Sequence, residues 1–479
     1  MPARLTSLDG SFLRLETANA HMHVAWSGLF EPHPDLPRPT VEALRDKVAA
    51  RLDRAPRFRQ RLAFPPLRLA EPCWVDDPGF DVTNHVTAAG DPDAAVTLAR
   101  FAQLTDAALS EQLDRAHALW EVKLVPRLED GRAGLIFKIH HALVDGKSAV
   151  ALALLLFDLS PDPGPEPPSS WTPAPPPSAT RLALDAFASG ALEPLRAARG
   201  VGRLAARPGE TGVTGTLRRA ALAFEQDLLR AAPESFLNGP IGPRRVLVRH
   251  RASMTDVVAA KRRAGATVND VCLTAVTGAL RELARLRGES PRPLKAMVPV
   301  SLRAEDQRQE LGNRFTFAFI QLPVATRSRA GRLEQVRHET AAFKQSGRPA
   351  GTGAVLGALG LLPDPVKNRA ARLASSARVF NLTVSNIPGP RFPVYMLGAE
   401  LSEAYPVVPI AEQHSLSIGM FSYRDHMFFG LYADPETLPE VHGLPALLDR
   451  EITALARPRR RKRQGSGHLR LAKTSATAS

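Results

Sequence analysis

Gly134-Leu135-Ile136-Phe137-Lys138-Ile139-His140-His141-Ala142-Leu143-Val144-Asp145-Gly146 is the stretch on which the reading of this chain turns. Gly134–Ile139 is largely apolar and β-compatible, as is Trp120–Pro126 upstream. Glu129-Asp130-Gly131 between them signals a turn. The two runs therefore predict a β-hairpin. Its second strand leads straight into two histidines. A loop through Asp145-Gly146 follows, and the apolar run Ser148–Leu156 reads as a buried helix. A side chain at a strand end can be aimed rigidly into a cleft. Neighbouring strand residues point to opposite faces, so one histidine is expected to face the cleft. We assign that place to His141, with His140 and Asp145 supporting the loop. Imidazole has the pKa that a general base needs near neutrality. Asp145 either folds back toward the histidines or pins the loop through an arginine, and Gly146 permits the tight turn. The plainer alternative is a core histidine followed by an aspartate that caps a helix. It is expected to hold for parts of the motif.

Other chemistries fail on spacing. Gly146-Lys147-Ser148 resembles the end of a phosphate loop, but the glycine required upstream would fall on His141. There is no HExxH sequence, and adjacent histidines diverge, so no metal is expected. No GxSxG elbow is present, which argues against a serine acyl-enzyme.

The 479 residues carry a net charge of +14, of which eight positive charges lie between Arg457 and the C-terminus with no Asp or Glu among them. The remaining excess of six suits anionic ligands or an anionic membrane surface. With only 6% aromatic residues, base-stacking platforms and nucleic-acid binding are not expected. Cys73 and Cys272 form no disulfide framework, which fits a reducing, cytoplasmic setting. The N-terminus lacks a signal-peptide pattern. The longest apolar runs, Ser148–Phe157 and Ala354–Leu362, are far shorter than the roughly 20 residues of a membrane span. A cytoplasmic protein is expected, peripheral at most on a membrane or lipid-droplet surface.

Two alternating α/β regions are predicted, residues 1–160 and 241–456. A Pro-rich and then helical linker over 161–240 separates them, and a basic disordered tail covers 457–479. In the first region Val41–Leu52 reads as a helix. In the second, Thr267–Leu286 reads as a helix. Arg245–His250, Leu294–Val300, Phe315–Leu322, Val379–Val384, Ser415–Phe421 and Met427–Tyr432 read as strands.

Further motifs sharpen the picture: Leu5-Thr6-Ser7-Leu8-Asp9-Gly10-Ser11-Phe12, Met22-His23-Val24, Leu237-Asn238-Gly239-Pro240, Val268-Asn269-Asp270-Val271, Pro299-Val300-Ser301-Leu302-Arg303, Gly312-Asn313-Arg314-Phe315 and Ser385-Asn386-Ile387-Pro388-Gly389-Pro390. With the HHxxxDG pattern they resemble the bacterial wax ester synthase/diacylglycerol acyltransferases over roughly residues 4–455. These belong to the acyl-CoA-dependent superfamily that includes chloramphenicol acetyltransferase. The resemblance implies two chloramphenicol-acetyltransferase-like α/β domains around a central channel. It implies no cofactor, with acyl-CoA as co-substrate and diacylglycerol or a fatty alcohol as acceptor. The second histidine, His141, is the implied base. Gly146, Asn269, Asp270, Ser301, Arg303, Ser385 and Asn386 are implied substrate-side residues. Helix capping is an equal reading for Asn269 and Asp270, and Ser385 and Asn386 are expected on a Pro-Gly loop. One departure is Ala118-Leu119-Trp120, where the family has Pro-Leu-Trp; Trp120 is expected in the core. A glycolipid or polyketide acceptor, or a non-catalytic lipid-surface role for the basic tail, stands as the alternative.

Overall fold

The computed structural model describes residues 3–66, 70–143, 155–167, 169, 171–188, 231–301, 315–346 and 364–457. The N-terminal half contains β1 (Ala3–Arg4), α1 (Ser7–Leu15), β2 (His23–Glu31), α2 (Val41–Arg51), β3 (Gln60–Ala63), β4 (Cys73–Asp76), β5 (Val86–Ala88), α3 (Leu98–Ser110), β6 (Trp120–Val125) and β7 (Ala133–His140). The C-terminal half begins with β8 (Val246–Ser253), α4 (Met254–Ala264), α5 (Val268–Leu286), β9 (Leu294–Ser301), β10 (Phe315–Leu322) and α6 (Arg329–Gln345). It continues with α7 (Asp364–Ala374), β11 (Leu382–Pro388), β12 (Tyr395–Met396), β13 (Ala399–Val407), β14 (Leu416–Tyr423), β15 (His426–Ala433) and α8 (Leu444–Ala456). Threonines start four of the helices: Thr6, Thr40, Thr97 and Thr267 each accept a hydrogen bond from a first-turn N–H.

Two six-stranded mixed sheets form the frame, in the orders β12-β13-β2-β7-β6-β5 and β10-β9-β11-β14-β15-β8. The predicted hairpin is β6–β7, antiparallel and turned at Gly131, whose φ of 91° only glycine adopts freely. Trp120 is buried, and its indole N–H donates to Phe58 O at 2.8 Å, so it is a core residue. In the second half, β14 and β15 join through a tight turn at Arg424-Asp425, with Tyr423 paired to His426. His426 is therefore the first residue of β15.

Strands β12 and β13 come from the C-terminal half yet extend the N-terminal sheet, β13 lying antiparallel to β2. As β13 passes over the other sheet, its Pro406 carbonyl sits against Gly419 and Gly430, which face each other on β14 and β15. A Cβ at Gly419 would stand 2.7 Å from that oxygen, and one at Gly430 would overlap it. Beyond β12, Asp158 exchanges backbone hydrogen bonds with Tyr395 at 2.8 and 2.9 Å. The Asp158 carboxylate is buried against Lys47 and Arg51 of α2. Arg51 and Arg54 also hold Glu166, and the Arg59 guanidinium lies over the Trp171 ring at 4.3 Å. These contacts tie the described part of the Pro-rich segment to the N-terminal half. Most of the helix expected over Ser148–Leu156, most of the helical part of the linker expected over 161–240, and the tail after Arg457 lie outside the described residues.

Candidate active site

β7 lies between β2 and β6, and His140 pairs in register with His23 of β2. This places the last strand residue in the interior, where His140 is 1% exposed. The chain then turns into a short 3-10 helix, His141–Leu143, with the His141 N–H held by Met22 O at 2.9 Å. The turn is hooked back on the strand: Ala142 N–H donates to His140 Nδ1 at 3.0 Å. His140 Nδ1 is therefore an acceptor, and the ring proton sits on Nε2.

That Nε2 faces a carboxylate no local motif announced. Glu16 directly follows α1, and its side chain is 4% exposed. Its Oε2 lies 3.5 Å from His140 Nε2 and its Oε1 3.9 Å from His23 Nε2. Arg115 donates to Oε2 through Nε at 2.9 Å and through a second, shorter contact from Nη2. Burial raises the Glu16 carboxyl, but His140 and Arg115 outweigh it and hold the pKa below its usual value. The carboxylate is thus charged at neutral pH. His23 lies on the same face, and burial, with Lys138 beside it, drives its pKa well below the usual histidine value.

His141, half-buried, is stacked under Phe12 of α1 with ring centroids 3.7 Å apart and planes 14° from parallel. Burial pushes its pKa down to about 4, helped by His140. At neutral pH the imidazole is therefore uncharged and able to accept a proton. Its Nδ1 is buried, and among the described residues nothing hydrogen-bonds to it.

A second polar pair lies in the C-terminal half. Asn269 sits in the first turn of α5, and its Oδ1 accepts from Asn386 Nδ2 at 3.3 Å. Asp270 is occupied elsewhere. Its Oδ2 takes the Thr267 N–H at 2.9 Å in a capping box, and its Oδ1 takes the Thr340 hydroxyl at 2.8 Å. Asp270 thus shapes the helix start that presents Asn269, in line with the capping reading given for it. Ser385 and Asn386 are not on a loop. They pair with Gly419 and Met420 inside β11, which runs four residues past the predicted strand end. Ser301 closes β9 and is described as backbone only, while Asp145, Gly146 and Arg303 lie outside the described residues.

Phe12 and His23 stood inside quoted motifs without a role. Glu16 and Arg115 had no sequence signal, because the cluster assembles from positions 16, 23, 115 and 140. Among the described residues no group of three or more His, Cys, Asp or Glu side chains forms a metal site. No helix there is long and apolar enough to cross a membrane.

Two family models match. The wax ester synthase/diacylglycerol acyltransferase catalytic domain covers residues 5–272, and the WS/DGAT C-terminal domain covers 311–456. The probable diacylglycerol O-acyltransferase tgs1 of Mycobacterium tuberculosis is 30% identical over 474 residues, spanning 96% of this chain and 97% of that one. The tgs2 protein of the same species is 31% identical over 456 residues, spanning 93% of this chain and 97% of its own. The solved wax ester synthase/diacylglycerol acyltransferase of Marinobacter aquaeolei VT8 superposes with a TM-score of 0.65 at 26% identity, over 95% of this chain and 98% of that one. The first condensation domain of the calcium-dependent antibiotic synthetase shares the fold alone, at 0.59 and 16% identity, over 95% and 96%. With both domain models matched in order along a two-sheet frame of the chloramphenicol-acetyltransferase type, the chain belongs to the wax ester synthase/diacylglycerol acyltransferase family and is one of its acyltransferases.

Proposed function

We propose that the protein moves a long-chain acyl group from acyl-CoA to the free hydroxyl of diacylglycerol, forming triacylglycerol, with His141 as general base. The observation that carries this reading is the place of His141 just past the end of β7, stacked under Phe12 with its Nδ1 unpartnered among the described residues. The ring takes the hydroxyl proton as the alcohol oxygen attacks the thioester carbonyl. The tetrahedral intermediate then collapses, the carbon–sulfur bond breaks, and the coenzyme A thiolate leaves as the thiol with the proton from the imidazolium. Such a base supplies about 10²–10⁴-fold in rate. The rest falls to positioning and oxyanion stabilisation, for which the Asn269–Asn386 amide pair and Ser385 are the polar groups at hand. The names of the mycobacterial relatives support diacylglycerol as acceptor. The name of the Marinobacter protein favours a fatty alcohol as a second acceptor, giving wax esters.

The test is the rate of triacylglycerol formation from radiolabelled acyl-CoA and diacylglycerol by His141→Ala. A fall of about 10²–10⁴-fold is expected, and undiminished turnover rules the reading out. Product analysis with a panel of alcohols separates diacylglycerol from fatty-alcohol, glycolipid and polyketide acceptors.

A further inference from the structure

A cavity of about 910 Å³ opens on the C-terminal half between α4, the start of α5, the end of β11 and the β14–β15 turn. Among the described residues four cations line it, Lys261, Arg262, Arg391 and Arg424, against the single carboxylate of Asp425. Arg424 is paired with Glu400. Lys261, Arg262 and Arg391 are exposed and make no ion pair with any described residue. The loop bearing Arg391 is anchored at its root, where Gly389 N–H donates to Ser422 O at 2.9 Å. One wall is apolar, formed by Val258 and Pro388. Asn386 lines the same cavity while its amide reaches Asn269, so the groove adjoins the Asn269–Asn386 pair.

We propose that this groove holds the phosphorylated nucleotide end of the acyl-CoA donor. The proposal rests on the acyl-CoA reading above. A diacylglycerol acceptor carries no charge and gives no reason for unpaired cations. A nucleotide with several phosphates meets both features of the groove: the cations take the phosphates and the apolar wall takes the base. The volume lies within the roughly 300–1,000 Å³ usual for small-molecule sites.

The test measures binding of adenosine 3′,5′-bisphosphate to the full chain by calorimetry, for the wild type and for Lys261→Glu/Arg262→Glu. Both side chains are exposed on the last turn of α4, so the double change is compatible with folding. Affinity is expected to fall at least about tenfold, and the KM for acyl-CoA to rise with it. An equal charge reversal on the N-terminal half, Arg100→Glu/Arg127→Glu, is expected to leave the bisphosphate affinity unchanged. Equal losses in both double variants, or none in the first, overturn the proposal. So does a first variant that loses only binding to phosphatidylglycerol vesicles, which would make the groove a lipid-headgroup site. A wild type that binds the bisphosphate but does not consume acyl-CoA defeats the functional reading and not the groove. One that consumes acyl-CoA without bisphosphate affinity defeats the groove alone.

A second, independent observation concerns Glu16. We infer that Glu16 is a positioning residue acting through His140. Its carboxylate keeps the His140 proton on Nε2, which leaves Nδ1 free to receive the Ala142 N–H and so fixes the turn carrying His141. The groups facing the carboxylate are His140, His23 and Arg115. In Glu16→Gln the amide turns an N–H toward His140, and the ring proton is expected to move to Nδ1, where it opposes the Ala142 N–H. The expected result is a kcat about tenfold lower with unchanged KM values, and partial recovery in Glu16→Asp. Histidine ¹⁵N spectra should show the proton on Nε2 in the wild type and on Nδ1 in Glu16→Gln. A wild-type spectrum with the His140 proton on Nδ1, or an unaltered kcat in Glu16→Gln, overturns the inference. The wild-type spectrum decides the matter even if the variant does not fold.

Discussion

The C-terminal sheet takes every strand from its own half of the chain, whereas the N-terminal sheet, which carries the histidine pair, borrows β12 and β13 from the other half. Its edge is closed further by Asp158 pairing with Tyr395. The difference teaches that the half carrying the histidine pair is the dependent one. His140 sits two strands in from β13, in the sheet that β13 extends. The C-terminal half, with the long buried helix α5 behind its sheet, needs no such loan.

This asymmetry can be broken most directly at Asp158. Removing the carboxylate in Asp158→Ala leaves Lys47 and Arg51 buried without it, at a cost of about 3–5 kcal/mol. The N-terminal half is then expected to melt first, and calorimetry to show two transitions. A smaller loss of about 1–3 kcal/mol is expected for Gly430→Ala, whose methyl group meets the Pro406 carbonyl. Because that contact joins the halves, both should lose stability together in one lowered transition, with Gly419→Ala milder.

Acidity sharpens the contrast further. With His141 as the proposed base, a pKa lowered to about 4 keeps its imidazole neutral as the pH falls past the ordinary histidine value. Turnover is expected to hold down to about pH 5 and to fail as the pH approaches 4. A base with an ordinary imidazole would fail from about 6.5. The smallest effect is expected at the junction of α3 with β8. There Asp106 accepts the Leu247 N–H at 2.8 Å, and burial raises its pKa to about 6. A carboxyl raised in the folded state costs stability as the pH climbs between the unfolded value and about 6, and the penalty stays in full above that. Asp106→Asn keeps an acceptor for Leu247 and removes the charge. It should raise the melting temperature by roughly 2 °C at pH 8 and leave it unchanged at pH 4.

Local pattern was enough for much of the frame. The hairpin ending in His140, the helix capped by Thr267 and the strand Phe315–Leu322 all follow from alternation, turn residues and caps. β11 was cut short because the apolar run stops at Val384 and Pro388-Gly389 signals a break. Parallel pairing with β14 carries the strand on regardless, with Pro388 at its end where no donor is needed. The loan of β13 could not be read at all, since alternation tells a strand its faces and not its neighbours. At the site the histidines were visible because chemistry and spacing coincide in one short motif. Glu16 was invisible because its meaning arises only when four distant positions converge.

The seat of Pro406 on Gly419 and Gly430 has one more consequence. Main chain rests there on main chain, with no rotamer to adjust between the sheets. The halves are keyed there like a mortise joint, so they are expected to resist swinging apart as rigid jaws.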